Sequence, residues 1–512
     1  MNNNWKKIAA SLLAVALLIP SLAVLGNNEN QAQASATKSD VTIKKVVEER
    51  GAKIPKYIFL FIGDGMSYPQ VQATSYYLGT TANDGDVVAE ELNFMNFPVA
   101  GSAQTYDSTS FCPDSASTAT SISTGNKTYS GVINMDTTLT KEYETIAEKL
   151  KKQLGYNIGV VSSVNLNHAT PAAFYAHQSS RNNYYEIGLE LIESNFDYFA
   201  GGALKSTTGS KKDQKVLYVL AEEAGYEVVK TQKEAEELTA KDGKAIVIAE
   251  TLADSDAISY DIDAKAGEWR LADYVEKGIE VLNTNKEGFF MMVEGGKIDW
   301  ACHANDAAST IQDTVAFSNA VDEAIEFYNK YPKDTLIIVT GDHETGGLTI
   351  GFAGTNYDTY LTNIENQKIS YAKYDSEYVT NYKKNNANFV EVLYDIEKNF
   401  GLVPESKASS AKASTLVLTD YEYDRLYDAY LMTMNNTDKL TEEEYVLYGS
   451  YEPLTVTITH ILNNKSGIDF SSYSHTGVPV PVFAIGNGAE LFDGYYDNTD
   501  IYKNIVDLTK VK

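Results

Sequence analysis

Four short apolar runs constrain this chain more than any other feature: Tyr57–Gly65 (YIFLFIGDG), Asn157–Asn165 (NIGVVSSVN), Gly288–Gly296 (GFFMMVEGG) and Thr335–Glu344 (TLIIVTGDHE). Each is continuous rather than alternating, and each closes on polar side chains. That is the pattern of strands buried on both faces. Helical patterns such as Tyr143–Gln153 and Leu271–Leu282 lie between them. The expected fold is therefore α/β: a single large domain with a central, mostly parallel sheet covered by helices on both faces. In such sheets ligands bind beyond the carboxyl ends of the strands. Asp64, Glu294, Asp342 and His343 all fall at those ends, so one crevice assembled from far-apart stretches is the economical expectation.

Charge narrows the function. Lys and Arg number 42 against 70 Asp and Glu, a net charge of −28, which excludes nucleic-acid binding through a basic surface. The same acidity implies solubility and a long-range field that repels anionic substrates, which local cations would have to overcome. At the start of the chain Lys6 and Lys7 precede the apolar run Ile8–Leu25, and Ala32-Gln33-Ala34 supplies a small-x-small cleavage pattern. Residues 1–34 thus read as an export signal, with an uncleaved anchor as the lesser alternative, and no later run is long enough to span a bilayer. The expected location is secreted or extracytoplasmic. Two cysteines, Cys112 and Cys302, cannot form a disulfide framework and are read as unpaired thiols.

Texture changes after Gly351. The stretch to about Tyr451 carries 14 of the 36 tyrosines and few long apolar runs, so residues 352–465 are expected to form an insertion within the 35–512 domain. Ser406–Ser414 reads as an exposed loop inside it. A core-like run, Val478–Gly486, follows, and Pro479 and Pro481 suggest an edge strand or the start of a strand.

Six histidines make their surroundings informative. Asp299 and His303 are spaced i, i+4, which on a helix sets a carboxylate and an imidazole about 6 Å apart on one face. A solvated helix face has the same spacing. Asp342 and His343 follow an apolar strand and precede a Gly pair, where the backbone can turn both side chains toward one ion. Ser115 follows Pro113-Asp114 and opens a run of small residues, which would set its hydroxyl at the positive end of a helix dipole. An ordinary N-cap serine looks the same in sequence. Serine needs a base or a metal to become a nucleophile at neutral pH, and no G-x-S-x-G elbow surrounds this one.

Together, IGDGM (62–66), PDSASTAT (113–120) with STGNKTYSG (123–131), HATPAAFYAH (168–177) with SSR ending at Arg181, EGGKIDWACH (294–303), TGDHETGG (340–347) and SHTG (474–477) resemble the alkaline phosphatases, in family order over nearly all of the chain outside the Tyr-rich stretch. The resemblance implies a metal-dependent phosphomonoesterase with two zinc ions and a third site, usually magnesium. By motif position Asp299, His303 and His475 would hold the first zinc, Asp64, Asp342 and His343 the second, and Asp64, Thr170 and Glu294 the third ion. Ser115 would be the phosphorylated nucleophile, Arg181 would grip two phosphate oxygens, and Asp114 would orient the guanidinium. A homodimer is also implied, with phosphate monoesters and inorganic phosphate as ligands. At two places this chain departs from many bacterial members, which carry Asp and Lys where it has His168 and Trp300. These two are expected beside the third site and the phosphate as possible outer partners, and loss of the cation at 300 predicts weaker product inhibition. His177 and His460 are expected to be structural. The runner-up activities are a phosphodiesterase or sulfatase of the same broad metal-hydrolase fold. A non-enzymatic alternative is an acidic surface-binding protein working through the Tyr-rich stretch.

Overall fold

A computed structural model describes residues 53–435 and 440–512. The expected export signal lies outside the described residues. Within them, ten strands form one sheet: β1 Tyr57–Gly63, β2 Val99–Gln104, β3 Asn157–Asn165, β4 Tyr198–Gly202, β5 Tyr226–Val229, β6 Lys244–Ile248, β7 Phe289–Glu294, β8 Thr335–Gly341, β13 Val480–Gly486 and β14 Gly494–Asp497. Their spatial order is β14-β2-β13-β8-β1-β7-β3-β4-β6-β5. Four short strands, β9 Glu344–Thr345, β10 Leu348–Ile350, β11 Ile468–Phe470 and β12 His475–Thr476, make two small ribbons beside it.

The continuous apolar runs are the central strands. Every residue of β7 and β8 is buried, as is all of β1 after Tyr57. Phe289 and Phe290 show why both faces are covered, since successive side chains of a strand point oppositely. The Phe289 ring meets Phe327 of the helix Ala307–Lys330 at 5.4 Å, and the Phe290 ring meets Phe174, beyond the short helix Ala169–Ala172, at 6.1 Å. Strands β8, β1, β7 and β3 are parallel neighbours, so their carboxyl ends share one edge. β13 alone runs opposite, paired with β8 and β2. It is an interior strand rather than an edge. Pro479 lies just before it and Pro481 is its second residue, opposite Ser102 of β2, while pairing with β8 begins only at Val482, so few ladder donors are lost.

Between β10 and β11 the chain makes a long excursion. These two strands pair antiparallel, Leu348 opposite Phe470 and Ile350 opposite Ile468, and Gly351 N–H donates to the Gly467 carbonyl at 2.7 Å. The excursion has its own apolar cluster, in which Tyr374, Phe400, Leu416, Leu426 and Leu454 are fully buried. Several of its tyrosines therefore serve as core rather than surface, whereas residues 405–411 are mostly exposed. Among the described residues no helix is long and apolar enough to cross a membrane. Cys112 is exposed, Cys302 is buried, and both are free.

Candidate active site

The shared carboxyl edge of β8, β1, β7 and β3 delivers the polar residues. Asp64 follows β1, Glu294 ends β7, Asp342 and His343 follow β8, and Thr170 lies just beyond β3. Gly65 makes the close approach that this requires: its φ is +71°, and a Cβ there would lie 2.8 Å from Thr345 Oγ1 and 2.9 Å from Asp299 Cα. Its N–H donates to Asp342 Oδ1 at 3.1 Å. The helix Lys297–His303 places Asp299 and His303 one turn apart, and the β12–β9 ribbon pairs His475 with Thr345 to bring in the last imidazole.

Three imidazoles converge by their Nε2 atoms. His303 Nδ1 lies 2.6 Å from the Tyr473 carbonyl and His475 Nδ1 lies 2.6 Å from the Pro113 carbonyl. A carbonyl only accepts, so both rings carry a proton on Nδ1, which leaves Nε2 as the atom that a metal would take. Those two Nε2 atoms are 3.0 Å apart and lie 3.4 and 3.5 Å from the same oxygen, Asp299 Oδ1. His343 Nδ1 is 3.2 Å from Thr345 Oγ1, a hydroxyl that donates to Asp299 Oδ1 at 2.5 Å. His343 Nε2 lies 3.3 Å from Asp64 Oδ1 and 3.2 Å from Asp342 Oδ2. Two ligand groupings result, Asp64 with Asp342 and His343, and Asp299 with His343 and His475, so His343 bridges them and His303 joins the second through its contacts with Asp299 and His475.

The electrostatics suit dications. Burial and the charges of Asp342, Asp299 and Glu294 drive Asp64 well above the usual carboxylate range. Burial and Asp299 push Asp342 to about 7, and burial and Asp342 push Glu294 to about 7 against the Ser162 hydroxyl that bonds its Oε2. Burial and His475 hold His343 well below its ordinary value. Asp299 goes the other way, because His303, His475 and His343 outweigh its burial. Glu294 Oε1, buried, has no hydrogen-bond partner among the described residues, and Thr170 Oγ1 donates to Asp64 Oδ2 at 3.3 Å. Oxygen donors with a spare carboxylate atom are the set a hard cation takes, and mixed imidazole and carboxylate sets are those of zinc.

Ser115 opens the helix Ser115–Thr124 and is 2% exposed. Its Oγ lies 3.2 Å from His343 Nε2 and 3.5 Å from Asp64 Oδ1. Asp114, the N-cap, divides its two oxygens: Oδ1 accepts from Ser117 N–H at 3.1 Å, and Oδ2 accepts from Arg181 Nη1 at 2.9 Å. Arg181 Nη2 also meets His168 Nε2 at 3.4 Å, and the His168 ring packs edge-on against Trp300 at 5.9 Å. Burial, with Arg181 and Lys205 beside it, pushes His168 down to about 3, so the ring is neutral and accepts from the guanidinium.

A sequence model of the alkaline phosphatase family matches residues 55–511. The chain belongs to the alkaline phosphatase family. Alkaline phosphatase 4 of Bacillus subtilis is 30% identical over 508 residues, covering 97% of this chain and 95% of its own length. The cold-active alkaline phosphatase of a psychrophilic Shewanella superposes with a TM-score of 0.72 at 27% identity, over 88% of this chain and 99% of its own. A mutant of the alkaline phosphatase from the Antarctic bacterium TAB5 that has magnesium bound in its M3 site superposes at 0.60 with 26% identity, over 90% of this chain and 99% of its own. Membership makes this chain a phosphomonoesterase, and its buried imidazole and carboxylate groups are candidate metal ligands of an alkaline phosphatase fold.

Sequence reasoning missed the residues that hold the site's side chains in place. Thr118 Oγ1 donates to Asp342 Oδ2 at 3.1 Å, Ser162 bonds Glu294, and Thr345 links Asp299 to His343. Only Thr118 carried a usable signal, since it sits one helical turn from Ser115. His177 pairs with Glu148 and Glu190, and His460 Nε2 lies 2.9 Å from Asn305 Oδ1.

Proposed function

We propose that this chain is an exported phosphomonoesterase that hydrolyses phosphate monoesters through a phosphoserine at Ser115, with two zinc ions and one magnesium as cofactors, and that it acts as a homodimer. The observation that carries the reading is the setting of Ser115: a buried hydroxyl at a helix N-terminus, within 3.5 Å of two candidate ligands, beside an arginine fixed by its neighbouring residue. Asp299, His303 and His475 would hold one zinc, Asp64, Asp342 and His343 the other, and Asp64, Thr170 and Glu294 the magnesium. When bound, the ions supply positive charge to the attacking and leaving oxygens and lower the pKa of water for the second half of the reaction.

The chain's own residues do the rest. Arg181 binds two non-bridging phosphate oxygens with its planar fork, and Asp114 Oδ2 keeps that fork from turning away. The first backbone N–H groups of the Ser115 helix face the same anion. Ser115 gives up its proton to solvent and its Oγ attacks phosphorus; the Oγ–P bond forms as the bond to the leaving alkoxide breaks and that alkoxide takes up a proton, and water then delivers OH to phosphorus and a proton to Oγ as Oγ–P breaks and phosphate is released. His168, held neutral, accepts from Arg181 rather than competing for the phosphate. Most of the rate enhancement is charge stabilisation on a fixed frame.

Rapid acid quench with labelled substrate tests the reading. Phosphate should be trapped on Ser115, and Ser115→Ala should abolish the phosphoenzyme and cut kcat by several orders of magnitude. Phosphoserine at another position, or an unaffected rate, refutes it.

A further inference from the structure

Lys297, the first residue of the helix that carries Asp299 and His303, is completely buried, and its ammonium makes no hydrogen bond among the described residues. Its Nζ lies 4.0 Å from the centroid of the Tyr260 ring and 4.5 Å from that of Trp300. The Asp254 carboxylate is 3.9 Å away, outside hydrogen-bond range. An ammonium stripped of water is tolerated only where fixed charges or ring faces replace its hydration. Here Asp254, Asp313 and Asp263 supply the compensating field, and the two rings supply the contact.

One ring is fixed from behind. The Tyr260 hydroxyl bonds the Tyr371 hydroxyl at 3.1 Å, and Tyr371 packs edge-on against Tyr260 at 5.8 Å. The other ring leads forward: Trp300 meets His168, and His168 Nε2 meets Arg181 Nη2. A continuous line of contacts thus runs from the buried ammonium to the guanidinium.

We infer that Lys297 is a positioning residue for Arg181: its ammonium pins the Trp300 indole, the indole holds the His168 ring, and His168 Nε2 keeps the guanidinium aimed at phosphate. The inference rests on Arg181 as the phosphate-binding arginine. A lysine that merely filled space would be replaced by methionine at no kinetic cost. A lysine acting through the indole must lose its influence when the indole is gone.

The test compares Lys297→Met and Lys297→Arg, each in the parent and in a Trp300→Leu background, by inorganic-phosphate inhibition and by KM and kcat on a small monoester. Lys297→Met should raise the phosphate inhibition constant about five-fold, less than the roughly thirty-fold worth of a whole desolvated cation–ring contact because the effect reaches Arg181 through two further rings, with a larger change in KM than in kcat. Lys297→Arg, which keeps the charge, should recover at least half of that loss. In the Trp300→Leu background Lys297→Met should have an effect of less than about two-fold, because the ring through which it acts is absent. With Trp269 changed to Phe in the chain freed of residues 1–34, the emission of Trp300 should shift and become more accessible to acrylamide when Lys297 becomes Met. A five-fold effect that persists without Trp300, or unchanged phosphate binding and Trp300 emission in Lys297→Met, overturns the inference. If Lys297→Met does not fold, Tyr260→Leu, which removes the other side of the clamp, is read in the same way. An unaltered phosphate constant in Arg181→Ala would instead overturn the reading of the site itself.

Discussion

Asp114 offers the sharpest prediction, because its two oxygens have separable duties. Oδ1 caps the Ser115 helix and Oδ2 holds Arg181. Asp114→Asn keeps a carbonyl oxygen for the cap, where Asn and Asp are equivalent, but turns an amide toward a guanidinium that can only donate. Asp114→Ala loses both. The ion pair is about one-fifth exposed, with side-chain exposures of 22% and 20%, so the middle rather than the top of the range for charged hydrogen bonds applies. A loss of about 2 kcal/mol in phosphate binding corresponds to about thirty-fold. Asp114→Asn should therefore raise the phosphate inhibition constant about thirty-fold and lower stability only by the lost ion pair, the cap being kept. Asp114→Ala should show a similar kinetic defect and lose about 1 kcal/mol more from the missing cap. Steady-state inhibition paired with calorimetry on the same preparations separates the two. If Asp114→Asn binds phosphate normally, or destabilises the fold as much as Asp114→Ala, the division of labour is wrong.

Three further outcomes are expected. Burial opposes charge on His177, yet hydrogen bonds and charges from Glu148 and Glu190 push its pKa from 6.5 up to about 10. A pKa raised by folding stabilises below the unfolded value and fades as pH rises through the folded one, so His177→Gln should cost stability near pH 6 and almost none above about pH 10; an equal penalty at both ends rejects the charged pair. Trp300→Lys replaces the indole with an ammonium, so its phosphate inhibition constant should fall below that of Trp300→Leu, which loses the indole without gaining a charge; equal constants in the two would take a charge at position 300 out of the phosphate's surroundings. Chelation should abolish activity and lower the unfolding temperature together, since four buried carboxylates then repel one another without dications. Zinc with magnesium should restore both, and a sample shown by elemental analysis to be metal-free yet fully active would contradict the mechanism.

The parts of this fold that could be read in advance are those where burial is recorded in consecutive residues. β1, β3, β7 and β8 carry continuous apolar runs, and the ends of β1, β7 and β8 supply three acids of the crevice. β2, with the sequence VAGSAQ, offers only small residues and no run. For β13 the prolines fit either an edge or the start of a strand, and the second holds: it lies between β8 and β2, and its ladder with β8 starts after the prolines. In the site, the i, i+4 pair and the residues at strand ends were legible from spacing. The hydroxyls were not: Thr118 reaches a carboxylate 224 residues away and Ser162 one 132 residues away, and nothing local distinguishes such a Ser or Thr from any other. Lys297 is the extreme case. A lysine in a helix reads as solvated by default, and only tertiary packing reveals an ammonium with aromatic rings in place of water.

The excursion between β10 and β11 departs from and rejoins the chain at almost one point, where Gly351 meets Gly467. Length can therefore be added to or trimmed from that segment without altering the distance between its two attachment points. β9 and β12 lie on either side of that junction and pair with each other, so the ribbon fixes His475 from one side, while Leu447, Tyr451 and His460 of the excursion brace Tyr473 from the other. Descent could remodel the outward part of the outgrowth, residues 405–411 for example, to suit a new habitat or companion, while Tyr371 on Tyr260 and His460 on Asn305 hold its inner part to the layer beneath.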